Sequence, residues 1–209
     1  MCGSSMEAMR LSVNDWVLAP KHIYGAVEVL SDLRIVPAES GVYGWYFANP
    51  YKLIRNHECH TVEGRGLLYV GISPSRPTSS GNRSRQTLRS RLRQHLRGTA
   101  EGSTLRFTLG SLLAKRHGFR LERRPGRNSK WWGRKGELAL TEWMRLHCGI
   151  VWQEHSEPWM LEKQILRLEL PLLNIQGSTH DLRRHVQAAR AAASSALAGS
   201  KSPASSRVP

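Results

Sequence analysis

Two short runs joined by a polar connection restrict the fold more than any other feature of the chain. Residues 41–47 read GVYGWYF and residues 67–73 read LLYVGIS. Both are rich in β-branched and aromatic residues, and Tyr43, Trp45 and Phe47 recur at the two-residue period that puts them on one side of a strand. The connection NPYKLIRNHECHTVEGRG is polar, so the pair is expected to form an antiparallel hairpin with a long loop. SPSRPTSSGNRSRQ then reads as loop. In TLRSRLRQHLRG, Leu88, Leu92 and Leu96 recur every four residues as the buried stripe of a helix, and Gly98 stands where a C-cap is wanted. Arg91 and His95 are also four apart and project together from the edge of that stripe.

The rest of the chain supplies the layers around this unit. STLRFTLGSLLAKRHG reads as a helix or helix pair, FRLERRPGRNSKWWGRK as a basic hairpin turned by PGRN, and GELALTEWMRLHCG as a helix ending at Gly149. IVWQEH reads as a strand. A helix from Pro158 to Leu170 follows and is broken by PLLN. WVLAPKHIYGAVEVL, near the start, has no clean periodicity and reads as a short helix or strand pair leading in. The last stretch shifts to Ala, Ser and Arg; it predicts a helix to about Ala198, and such low complexity predicts no packed core there. The expected class is α/β (α+β): a small central antiparallel sheet flanked by helices, with a basic insertion and a helical C-terminal extension. The expected boundaries are an N-terminal extension at 1–37, the main domain at 38–178 with its insertion at about 99–136, and a C-terminal helix and disordered tail at 179–209.

Charge narrows the function classes. Residues 76–97 hold seven arginines and no acid, and residues 115–135 hold nine basic residues and one acid. Together these blocks account for the whole net charge of +15. Solubility needs no such segregation, whereas a polyanion such as nucleic acid does. Arg85, Arg89 and Arg93 in the first block, with Arg123, Arg124, Arg127 and Lys130 in the second, are the candidate phosphate contacts. Trp131 and Trp132 add rings that can stack on bases. No apolar run approaches a membrane span, and the N-terminus lacks a signal-peptide core, so a cytoplasmic protein is expected. Cys2, Cys59 and Cys148 are scattered, which favours reduced thiols. HECH, residues 57–60, lacks the second cluster a structural zinc site needs.

Taken together and in order, GVY, YVG, LRSRLRQH and LEKQILRLELPLLN resemble the motifs of the GIY-YIG nuclease family. Glu162 and Asn174 stand twelve positions apart, with Pro171 between them, as the excision-repair members of that family have it. GSTLRFTLGSLL and EPW are similar to an uncharacterised bacterial branch of the family. The resemblance spans residues 40–174; the tyrosines are farther apart than is usual in the family, and a large insertion separates the arginine helix from the glutamate helix. It implies that Tyr43, Tyr69, Arg91, Glu162 and Asn174 form the site; His95, one turn after Arg91, joins them as a competing candidate base on chemical grounds.

Phosphodiester hydrolysis needs an activated water and charge neutralisation at phosphorus. One carboxylate, Glu162, suits a hard cation, Mg²⁺ or Mn²⁺, completed by waters and substrate oxygens. Arg91 would fork onto the scissile phosphate. Tyr43, Tyr69 or His95 would be the general base, and Asn174 would brace the glutamate-bearing end by hydrogen bonds. Ser73 could reach phosphate or cap a loop, and Gly71 keeps the second strand's end slim. Tyr46 faces the other side of its strand from Tyr43, which makes Tyr43 the site candidate and Tyr46 packing. The expected activity is a divalent-metal-dependent endonuclease acting on DNA rather than RNA, with no small-molecule cofactor. The alternative is a non-catalytic nucleic-acid-binding or RNA-contacting adaptor on the same scaffold.

Overall fold

The computed structural model describes residues 15–54, 57–82, 84–124, 126, 129–167, 172–174 and 181–199. Strand β1 (Tyr24–Gly25) runs directly into helix α1 (Ala26–Ser31). Strand β2 (Gly41–Ala48) is followed by a helical turn at Tyr51–Ile54, then by β3 (Thr61–Val62) and β4 (Arg65–Ser73). Helices α2 (Leu88–Arg97) and α3 (Thr104–His117) precede a small ribbon, β5 (Glu122–Arg123) and β6 (Lys130–Trp131). Helix α4 (Gly133–His147) passes straight into β7 (Cys148–Glu154), and α5 (Pro158–Leu166) and α6 (Asp181–Gly199) follow.

Five strands form one sheet in the order β1-β7-β2-β4-β3, with every pairing antiparallel. The expected antiparallel sheet flanked by helices is therefore present, with β2 and β4 as neighbours. Side chains of β2 sort by their two-residue period. Tyr43, Trp45 and Phe47 enter the large core with Leu88, Leu92 and Leu96 of α2 and Leu140 and Met144 of α4. Val42 and Tyr46 enter a smaller core on the reverse face with Val17 and with Leu161 and Ile165 of α5. Tyr46 donates its hydroxyl to the Val17 carbonyl there. Strand β4 does not alternate cleanly. Trp45 pairs with Tyr69 and Tyr46 with Leu67, so Leu68 is an extra residue. This bulge turns both Leu68 and Tyr69 toward the helices while Leu67 and Val70 face the reverse core.

Several elements differ from expectation. Helix α4 begins at Gly133 and ends at His147, and β7 starts at Cys148 rather than Ile150. The helix expected to reach Leu170 is described to Leu166, and residues 168–171 lie outside the described residues. Gly98 caps α2 with negative φ; what it supplies is room, since a Cβ there would meet the Gln94 carbonyl oxygen at 2.2 Å. The stretch expected as an N-terminal extension contributes the edge strand β1 and the fully buried Val17, Ala26 and Val29.

Helix α6 overturns the expectation of no packed core at its end. Leu182, Val186 and Leu197 are buried and belong to the main core. They fall on one helical face among small Ala and Ser residues, which let α6 approach α3 closely. Beneath these helices lies a buried ion pair. Arg106 of α3 donates from Nη2 and Nε to Glu137 Oε2 of α4 (2.7 and 3.1 Å) and from Nη1 to the His95 carbonyl (3.1 Å). Glu137 Oε1 accepts the backbone N–H groups of Ala100 and Trp132. One hub therefore ties the end of α2, the 100–102 turn, α3 and α4 together.

Candidate active site

Tyr43 is the centre of a hydrogen-bonded group. Its Oη lies 2.7 Å from His95 Nε2, and Arg91 donates to it from Nε at 3.4 Å. The four-residue spacing on α2 thus delivers Arg91 and His95 to one atom. Space for that atom comes from β4: Gly71 pairs with Tyr43 across the strands, and a Cβ on Gly71 would meet Tyr43 Oη at 2.4 Å and Cζ at 2.6 Å. Gly71 therefore makes room for the phenol itself. Arg91 Nη1 donates to Gln94 Oε1 (2.7 Å) and to the Gly102 carbonyl (3.0 Å). One edge of the guanidinium is fixed in this way, and Nη2 has no hydrogen bond among the described residues.

His95 is fully buried, and its Nδ1 lies 2.7 Å from Ser103 Oγ. The rings of Tyr43, Trp45 and Tyr69 surround the imidazole at centroid distances of 5.4, 5.8 and 6.2 Å. Burial pushes its pKa well below the ordinary range, and the nearby charges of Arg91 and Arg106 push the same way. The imidazole is therefore neutral near pH 7 and resists accepting a proton.

Tyr69 lies beside this group on β4, largely buried. Burial raises its phenol; Arg91 and Arg190 lower it, and Glu162 raises it. Tyr43 is raised chiefly by burial, with Tyr69 and Glu162 adding to the rise and Arg91 opposing it. Glu162, on α5, is thus electrostatically coupled to both tyrosines. Its own carboxyl is pushed up to about 7 by burial. No ion pair reaches it among the described residues.

Asn174 acts elsewhere than expected. Its Oδ1 accepts from Val70 N (2.8 Å) and its Nδ2 donates to Val70 O (2.7 Å), while Leu173 N donates to Leu68 O. The side chain completes the outer edge of β4 next to Tyr69, so what it braces is the tyrosine-bearing strand rather than the glutamate. Ser73 is fully buried, and its Oγ has no partner among the described residues. In HECH, the rings of His57 and His60 engage the backbone carbonyls of Ile54 and Leu18. Among the described residues, no group of three or more His, Cys, Asp or Glu is placed to hold a metal ion.

The basic blocks divide. Arg85, Arg93, Arg123 and Lys130 are exposed. Arg124 lies over the half-buried Trp131 ring at 6.0 Å and pairs with Glu101 at 3.6 Å. Arg89 corrects the expectation of a phosphate contact: it is half-buried, and its guanidinium donates to the Val36 and Arg34 carbonyls. Trp132 is a second correction. At 2% exposure, packed against Gly110, Phe107 and Phe119, it leaves no face for a base. Arg127 lies outside the described residues.

Four residues near the site escaped the sequence reading. Gln94 and Gly102 hold Arg91, Ser103 holds His95, and Arg190 of α6 is close enough to Tyr69 to influence its phenol. Arg190 donates to Thr108 Oγ1 and sits over the Phe107 ring at 5.6 Å. Ser103 carried one legible signal, a serine immediately before a helix; Arg190 was hidden in an alanine-rich stretch.

Against families of known proteins, residues 41–192 match the GIY-YIG catalytic domain. No curated protein and no solved structure matches the chain. Among the described residues, no helix is long and apolar enough to cross a membrane.

Proposed function

Because the chain belongs to the GIY-YIG catalytic-domain family, we propose that it is a divalent-metal-dependent endonuclease that hydrolyses phosphodiester bonds, with DNA as its substrate. The observation that carries the reading is the meeting of Tyr43, Arg91 and His95 at one phenolic oxygen, with Glu162 electrostatically coupled to the same phenol.

Arg91 is held along one edge, which leaves Nη2 for a non-bridging phosphate oxygen. Tyr43 Oη, lined up by two nitrogens, first gives up its phenolic proton to solvent; the phenolate then orients the attacking water and takes one of its protons as the new bond to phosphorus forms. His95 is sealed from solvent and disfavours positive charge, so it supports Tyr43 instead of serving as the base. Tyr69 packs edge-on against His95. A half-buried carboxyl with no ion pair among the described residues suits a hard divalent ion, so Glu162 would hold Mg²⁺ or Mn²⁺, with waters and phosphate oxygens as the remaining ligands. When bound, that ion supplies charge neutralisation at the phosphate and at the leaving oxygen. The exposed arginines and Lys130 add an electrostatic footprint for the substrate strand.

The test incubates a plasmid and a single-stranded oligonucleotide with Mg²⁺ or Mn²⁺, using the native chain and Glu162→Ala. Nicking by the native chain alone is expected. Failure of the native chain to nick any substrate, with salt-sensitive binding intact, would favour the non-catalytic binding module.

A further inference from the structure

We propose that Ser103 is a positioning residue that fixes the tautomer of His95, so that the imidazole donates a hydrogen bond to Tyr43 and the phenolic proton is free to point into the site. The inference rests on the reading of Tyr43 as an active-site group. Two contacts of 2.7 Å join Ser103 Oγ to His95 Nδ1 and His95 Nε2 to Tyr43 Oη. A neutral imidazole has one N–H and one lone pair, so both protons in this chain of three groups run the same way: serine to histidine to tyrosine, or the reverse.

Ser103 decides between them. It is the N-cap of α3, and its Oγ accepts the Arg106 backbone N–H at 3.1 Å. The hydroxyl still has its proton to give, and His95 Nδ1 is the acceptor in reach among the described residues. Ser103 is fully buried. In the reverse direction His95 would donate to it, and the serine proton would be sealed in the core without an acceptor, at the full desolvation cost of a buried donor. In the forward direction the surplus proton sits on Tyr43, at the end of the chain that meets Arg91. The phenolic oxygen then receives two N–H groups, from His95 Nε2 and Arg91 Nε. Both stabilise negative charge on that oxygen when its proton leaves. The other rings around the imidazole, Trp45 and Tyr69, approach edge-on and leave these two bonds as its polar contacts.

The experiment reads the tautomer directly, by long-range ¹⁵N–¹H correlation of the His95 ring in the full chain. The Nε2–H form is expected in the native protein, and the Nδ1–H form would overturn the proposal. Ser103→Asp keeps an oxygen acceptor for the Arg106 N–H but has no proton to give. It is expected to convert His95 to the Nδ1–H form and to lower kcat roughly 100-fold with KM little changed. Ser103→Thr, which keeps both cap and hydroxyl, is expected to restore the native tautomer and most of the rate. An unchanged tautomer in folded Ser103→Asp also overturns the proposal. If the native chain cuts nothing while the tautomer responds as described, the nuclease reading fails and the hydrogen-bond assignment stands.

Discussion

Replacing Glu162 by Gln should stabilise the fold at alkaline pH while removing cleavage. Burial lifts the carboxyl from its ordinary 4.5 to about 7. Between those values the folded chain holds a proton that the unfolded chain has already shed. Stability is therefore fully present below about pH 4.5 and is lost as pH rises through about 7. At about 1.4 kcal/mol per tenfold change in acidity, the ceiling on that loss is about 3 kcal/mol. Partial solvent contact reduces it to about 1–2 kcal/mol. Gln keeps the shape and never ionises. In chelator, the variant should match the native chain at pH 4 and melt roughly 2–8 °C higher at pH 8, given about 2–4 °C per kcal/mol for a chain of this length. Mg²⁺ should raise the melting temperature of the native chain at pH 8, because binding selects the folded, ionised carboxylate, and should leave the variant unmoved. Thermal unfolding followed by circular dichroism at both pH values, with and without Mg²⁺, makes the comparison. A variant that gains nothing at pH 8 over pH 4 would refute the burial argument. An equal response of both proteins to Mg²⁺ would refute Glu162 as the ligand.

Other outcomes follow from named contacts. Gly71→Ala should displace the Tyr43 phenol, since its Cβ would lie 2.4 Å from Oη; kcat should fall at least tenfold while DNA affinity in a gel-shift assay holds. Arg91→Lys cannot keep the Gln94 and Gly102 bonds and still offer a fork to phosphate, so kcat/KM should drop roughly 100-fold in plasmid nicking. Replacing Arg123 and Lys130 together by Ala should lower the slope of log Kd against log salt by about 1–2, measured by fluorescence anisotropy. Arg89→Ala should leave that slope unchanged and lower the melting temperature, because Arg89 bonds to the Val36 carbonyl.

The sequence was most legible where one period decides the answer. Tyr43 and Tyr46 separate onto opposite faces because a strand alternates, and Arg91 meets His95 because a helix repeats near four. Trp131 and Trp132 show the limit. Adjacent identical residues give no sign of which one faces inward, and only the packing of Phe107, Phe119 and Gly110 makes Trp132 core. Asn174 was legible as a residue that braces, but its partner was not, because nothing in the spacing says that residues 172–174 run beside β4. Glu137 reads as an ordinary helix acid, and its pairing with Arg106 depends on two helices meeting in space. In α6, Ala and Ser masked a stripe of only three larger apolar residues, Leu182, Val186 and Leu197.

The strand order also dictates a schedule for synthesis. Strand β7 lies between β1 and β2, yet it is translated about a hundred residues or more after either. As the chain leaves the ribosome, β1 waits without a partner, and one edge of the Tyr43 strand stays open until residue 154 has emerged. Both basic blocks precede that point, so they meet the RNA-rich exit surface before the sheet closes. Glu162 comes later still. A chain able to grip nucleic acid while it is being made would thus acquire the carboxylate proposed to hold its metal only after the scaffold beneath the site is complete.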